Sequence, residues 1–189
     1  SMHLTDIAFV KVGAVSGADS IYTNEIQGNR DFVCSSTGSK GKTRRMIWCE
    51  PGEPPPEALL AHKKRLIARR IRPFDESNWW QWGRGYHQSK QPRIYVNAKT
   101  RRKNPFFVHD CPHYDGSVLA IFPRHPEIDV HQFANALNAL DWDDLGFVCD
   151  GRFLFSNEAL STPLCLSFFE ISARVGIDVV EKAQKLFLS

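Results

Sequence analysis

Several clusters in this chain hold side chains of reactive or metal-binding types. His109-Asp-Cys-Pro-His113 sets two imidazoles and a thiol at alternate positions, which are zinc-ligand types. On a strand they would share a face only if the chain stayed extended past Pro112, and a fourth ligand would have to come from elsewhere. A polar loop is the simpler reading, and no metal ligand is assigned. Asp141, Asp143 and Asp144 read as a loop after a helix, because no partnering Glu-x-Lys follows as in a metal-dependent nuclease core. Gly41-Lys-Thr43 ends like a phosphate-binding loop. Its first glycine would fall at Ser36, and strand-like Met46-Ile-Trp-Cys49 stands where a helix is required. Gly13-Ala-Val-Ser-Gly17 lacks the third glycine of a dinucleotide loop and reads as a structural turn. No local Ser-His-Asp order is present, so no catalytic residue is assigned.

The stronger signal is electrostatic. Residues 40–103 carry seventeen lysines and arginines against five acids, a net of +12, while the rest of the chain nets −9, so the overall +3 conceals a polarised molecule. Concentrated charge of one sign repels itself, and a polyanionic partner is the usual reason for it. Lys40, Lys42, Arg44, Arg45, Arg69, Arg70, Arg72, Lys99, Arg101 and Arg102 are the candidate phosphate contacts. Asn78, Gln81 and Arg84 are of the types that make bidentate contacts to adenine and guanine edges. Trp79, Trp80, Trp82 and Tyr86 lie in the same segment, as base-stacking rings or, taken one at a time, as core.

The framework that carries these residues can be read from periodicity and punctuation. Ile7–Val12 reads as a strand, followed by a turn at Gly13, Gly17 and Asp19 and a second short strand at Ile21-Tyr22. Residues 35–45 form a small-residue basic loop able to approach a phosphate backbone closely. Pro54-Pro-Pro56 opens a helix. Its apolar stripe is Leu60, Ile67 and Ile71, and Lys63, Arg65, Arg69, Arg70 and Arg72 cover the remaining surface. Phe74–Tyr86 reads as a loop pinned by aromatics, Pro92–Asn97 as a strand and Ala98–Asn104 as a basic turn. Pro105–His109 leads into the next strand, and Ser117–Phe122 is a strand too. Asp129, with Gln132 three residues on, caps a helix to Leu140 whose core stripe is Val130, Phe133, Ala134 and Leu137. Asp150-Gly151 joins two short strands as a hairpin. A closing helix carries Val179, Ala183 and Leu186.

The 189 residues suit one domain, or two small lobes sharing a core. The five cysteines are odd in number and widely spaced, as free thiols of a reducing cytoplasm are. No apolar run approaches the roughly 20 residues needed to span a bilayer. The Ser1-Met2 opening reads as a cloning remnant on a piece of a longer protein.

Val12-Gly-Ala-Val-Ser-Gly-Ala-Asp-Ser-Ile-Tyr22 resembles the turn that opens the target-recognition region of gamma-class (TaqI-like) N6-adenine DNA methyltransferases of restriction-modification systems. Cys149-Asp-Gly-Arg-Phe-Leu-Phe-Ser156 resembles the closing part of such regions. The family's methyl-donor motif, Phe-x-Gly-x-Gly, is absent. Its catalytic Asn/Asp-Pro-Pro-Tyr/Phe is only echoed by Asn104-Pro-Phe-Phe107, where Phe106 replaces the second proline. The resemblance therefore implies the C-terminal recognition domain across 1–189, without the catalytic domain and its S-adenosylmethionine. It implies an α+β fold of mixed and antiparallel strands with a few helices. It also implies a bacterial, cytoplasmic setting and two partners, double-stranded DNA and the parent's N-terminal catalytic domain. Rival expectations are an RNA-binding module whose tryptophans stack unpaired bases, a nuclease using His109, Asp110 and His113, and a protein-interaction domain facing an acidic partner.

Overall fold

The computed structural model describes residues 2–161 and 165–166. The closing helix expected across Val179, Ala183 and Leu186 lies outside them. In chain order the elements are β1 (Met2–His3), α1 (Leu4–Ile7), β2 (Ala8–Val12), α2 (Asp19–Tyr22), β3 (Arg30–Phe32), α3 (Thr37–Lys40) and β4 (Arg44–Met46). A 3-10 helix at Glu57–His62 runs into α4 (Lys63–Ile67). Then come β5 (Ile94–Asn97), β6 (Lys99–Thr100), β7 (Phe106–Phe107), β8 (Val118–Pro123), α5 (Val130–Asn138), β9 (Val148–Cys149), β10 (Arg152–Leu154), α6 (Asn157–Ser161) and β11 (Cys165–Leu166). The class is α+β, with antiparallel pairing throughout the named strands.

A four-stranded sheet in the order β2-β8-β5-β7 carries the frame. Every residue of β8 is buried, as a strand covered on both faces requires. Alternation sorts its side chains. Leu119 and Ile121 join Val10, Ile94, Val96 and Phe106 on one face, under Phe133, Ala134 and Leu137 of α5. Val118, Ala120 and Phe122 turn to the other face, where Tyr95, Tyr114 and Val33 meet them. The Asp129 side chain accepts from the Gln132 amide and starts α5 as its sequence prescribes. Asp150 and Gly151 take φ of 53° and 73°, as a two-residue hairpin turn between β9 and β10 requires.

The third cluster has little regular structure. Tyr22, Phe32, Met46, Trp48, Leu59, Leu66, Trp79 and Trp82 pack together beneath loops. Phe32 stacks on Trp82 at 5.0 Å, and Trp48 meets Trp82 edge-on at 5.1 Å.

Four local expectations are corrected by the structure. Ile21 and Tyr22 lie in one helical turn rather than a strand: the Ser16 hydroxyl accepts from the Ala18 amide and donates to Asp19, which ties the start of that turn. The basic helix ends at Ile67, so Arg69, Arg70 and Arg72 follow it. Its first half is 3-10, with about three residues per turn. The inward positions are consequently Leu59 and Leu66, while Leu60 and Ile71 stand exposed. Ile47–Cys49 leave the strand, because the Asn29 side chain takes over the ladder at Trp48, accepting from its amide and donating to its carbonyl. Lys99 and Thr100 form a strand against β10 rather than a turn.

Candidate nucleic-acid interface

The turn at Gly13–Asp19 is the hinge between the sheet and the basic loops. A Cβ on Gly13 would lie 1.8 Å from the Asp115 carbonyl oxygen, so only glycine fits. Gly17 takes φ of 79°. Val15 exchanges backbone hydrogen bonds with Arg84 across the turn.

Around this turn the arginines serve as struts. Arg69 donates to the carbonyls of Ser16, Leu66, Trp79 and Gln81, and its guanidinium lies 3.9 Å from the centre of the Phe74 ring. Burial draws its basicity below the usual arginine value. Arg72 donates to the Trp82 carbonyl and to the Gln81 side chain. Arg84 donates twice to the Gly13 carbonyl, at 2.9 and 3.1 Å. Asn78 caps its own loop, its side-chain oxygen accepting from the Asp75 amide. These side chains thus hold the aromatic loop in place. Arg70, between two struts, is exposed and forms no ion pair among the described residues.

A second group of bases faces outward from loops that are tied together. Asn97 donates to the Ser35 carbonyl at 2.7 Å, and His109 meets the Gly41 carbonyl at 3.2 Å. Arg102 and Phe107 crowd Gly38 so closely that a Cβ there would overlap both. Lys40 and Lys42, at the end of α3 and just beyond it, and Lys99 and Arg101, on β6 and just beyond it, are exposed and without ion pairs among the described residues. Arg44 is shared between Asp19 at 3.8 Å and Asp115 at 3.6 Å, and Arg45 pairs with Asp31 at 3.3 Å. Burial raises the Asp115 carboxyl above its ordinary range, against the pull of Ser117 and Arg44.

The tryptophans are mostly interior: Trp48, Trp79 and Trp82 are 6%, 3% and 3% exposed. Trp82 donates its indole N–H to the Ile47 carbonyl, and Trp80 to that of Glu53.

In the 109–113 cluster His109 and Cys111 have their donors and acceptors already committed. His109 accepts the Cys111 amide on Nδ1 and therefore donates through Nε2 to Gly41. Cys111 donates its thiol toward the Asp31 and His113 carbonyls, and burial pushes that thiol up from its usual pKa. Among the described residues no group of three His, Cys, Asp or Glu side chains is placed to hold a metal ion. His113 instead meets the Tyr86 hydroxyl at 2.5 Å, and Arg30 donates to the same hydroxyl at 2.8 Å. Sequence reasoning missed this trio. Tyr86 and His113 are far apart in the chain, and Arg30 lies outside the basic segment, so no spacing announces them.

No family model matches the chain, and no curated protein matches it. Among solved structures it is similar to that of a Type IIL restriction-modification enzyme, MmeI, in complex with DNA. The TM-score is 0.57 and the identity 12%, over 82% of this chain and 24% of that one. The chain spans about a quarter of that enzyme's length. At this identity the likeness concerns the fold: the α+β arrangement of this chain is one that a segment of a DNA-bound restriction-modification enzyme also has.

Proposed function

We propose that this chain is a sequence-specific duplex-DNA recognition domain of a restriction-modification enzyme, acting across residues 1–189. The observation that carries the reading is the pair of joined loops presenting Lys40, Lys42, Lys99 and Arg101, exposed and uncommitted to acids. Such a surface exchanges condensed counterions for protein cations when it meets a phosphate backbone. The fold shared with part of a DNA-bound enzyme supports the same reading. Arg102, packed against Gly38, and Arg44 and Arg45, at the end of the same basic loop, extend this surface as further phosphate contacts. Arg70 is a separate exposed candidate, while Arg69 and Arg72 hold the aromatic loop.

The finer proposal rests on the resemblance of Val12–Tyr22 and Cys149–Ser156 to gamma-class methyltransferases. The parent would be an N6-adenine DNA methyltransferase of a bacterial cytoplasm. Its own N-terminal domain would hold S-adenosylmethionine and carry out methyl transfer on a flipped adenine. This part would supply no catalytic residue. Gln81 and Arg84 then stand nearest to a reading role for base edges, since the Gln81 amide N–H groups and one Arg84 nitrogen remain beyond their internal bonds. Burial of Trp48, Trp79 and Trp82 weighs against a module that stacks single-stranded bases on tryptophan.

The test is a binding titration of the full chain on duplex DNA at several salt concentrations. Log affinity should fall linearly with log salt, and each of Lys40→Ala, Lys42→Ala and Arg101→Ala should reduce the slope by about 0.9. Preference for single-stranded RNA over duplex, or slopes that none of the three variants changes, would overturn the proposal.

A further inference from the structure

An open groove of about 680 Å³ lies between the β3–β4 hairpin and the 109–113 loop, lined among others by Arg45, Thr43, Asp110 and His113. Hydrogen-bond logic narrows what His113 offers there. Arginine has only donors, so the Tyr86 hydroxyl oxygen accepts from Arg30. Among the described residues His113 Nδ1 is the acceptor within reach of the hydroxyl's one proton. The neutral tautomer that takes it carries its own proton on Nε2. Arg30 is itself steadied by Glu50 at 3.5 Å, which also accepts the Trp48 indole at 2.9 Å. The result is a directed chain of donors running from the aromatic cluster to the groove wall.

We infer that His113 is a specificity-determining residue, a tautomer-locked Nε2–H donor that reads an acceptor on a base edge, such as purine N7, in the bound duplex. The inference rests on the DNA-recognition reading proposed for the whole chain. The lining suits a base edge. Of its two arginines, Arg45 is paired with Asp31 and Arg30 with Glu50. Asp110, in no ion pair among the described residues, adds a carboxylate that would repel a phosphate, which presents acceptors alone. A base edge presents donors beside acceptors, which the carboxylates, Thr43 and His113 match in kind. Burial and the nearby Arg30 and Arg93 keep the imidazole below its ordinary pKa, so it is neutral at physiological pH. Tyr86 is pushed up to about 12, which keeps its proton available for donation.

The experiment selects the full chain against a pool of duplexes with a randomised core and repeats the selection with His113→Phe, His113→Gln and Tyr86→Phe. Nitrogen-15 NMR of the free protein reads the tautomer alongside. The expected result is Nε2–H tautomer in the wild type and mixed tautomers in Tyr86→Phe. His113→Phe should relax preference at one base pair roughly ten- to a hundredfold, with the salt slope unchanged and partial recovery in His113→Gln. A wild type that binds without sequence preference sinks the recognition reading itself. A wild type with a clear motif that His113→Phe leaves intact overturns only this inference. So does a uniform loss with the slope reduced by about one, which would mark a phosphate contact, or an Nδ1–H tautomer.

Discussion

The sheet and the aromatic cluster bury their residues equally well by different means. In the sheet, β8 is held by backbone ladders to β2 and β5, and its side chains are aliphatic on the face under α5. In the cluster, short elements and loops converge on Trp48, Trp79 and Trp82, and side chains replace the missing ladder: Arg69, Arg72, Arg84 and Asn29 satisfy the loop backbone. A region without a ladder has few redundant ties, so each strut matters more. A basic segment is therefore not uniformly a binding surface. Some of its arginines are internal scaffolding, and others remain available to a partner.

The severest test of this contrast lies at paired core positions. Phe32→Ala in the cluster should cost near the top of about 3–5 kcal/mol in urea unfolding, whereas Phe133→Ala over the sheet should fall near the bottom of that range. Equal costs for these two phenylalanines would deny the cluster its special dependence on single rings. Next in size is Arg69→Met, which strands several carbonyls and should cost about 3 kcal/mol. Arg69→Lys should restore little, since an ammonium lacks the planar fork. The neighbouring Arg70→Met should leave stability within about 0.5 kcal/mol and weaken duplex binding instead. If the two variants behaved alike, the division between struts and free bases would fail.

A smaller effect separates the outward loops from both cores. Combining Lys40→Ala with Lys99→Ala should leave the urea midpoint nearly unmoved and reduce the salt dependence of duplex binding by about two units of slope. The smallest effect is a pH slope. The lowered pKa of His113 means that the unfolded chain binds the extra proton first. Its contribution to stability is complete above roughly pH 6.5 and is lost as pH falls through the depressed folded value. Urea midpoints measured across that window should decline toward acid in the wild type, and His113→Gln should flatten the decline.

The regular half was legible from sequence, and the irregular half only in outline. The strands Ile94–Asn97 and Val118–Pro123 announce themselves as short, largely apolar runs buried on both faces, and the helix after Asp129 by its period and its cap. The Asp150-Gly151 turn announces itself by chemistry. Ile21-Tyr22 is too short to display a period, so a helical turn capped by its neighbours read as a strand. Of the stripe Leu60, Ile67 and Ile71, Ile67 packs against the aromatic core, but Leu60 lies inside the 3-10 segment, which turns it outward, and Ile71 lies beyond the end of the helix. For the candidate site, composition located the basic loops. It could not tell Arg69 from Arg70, because that difference lies in carbonyls contributed by residues 16, 79 and 81.

The pairing of β2 with β8 also governs when this molecule can fold. Val12 meets Leu119, so β2, the first strand of this sheet to be made, waits for one made far later, while β5 has no neighbour on that side until β8 arrives. Everything from Gly13 to Pro92 is therefore a long excursion whose two ends are clamped by the last strand to enter the sheet. A nascent chain stopped before Pro123 would lack the strand that clamps both ends of this excursion. Recovery from denaturant should likewise be slow for a chain of this size, because loop closure precedes any reward from the ladder.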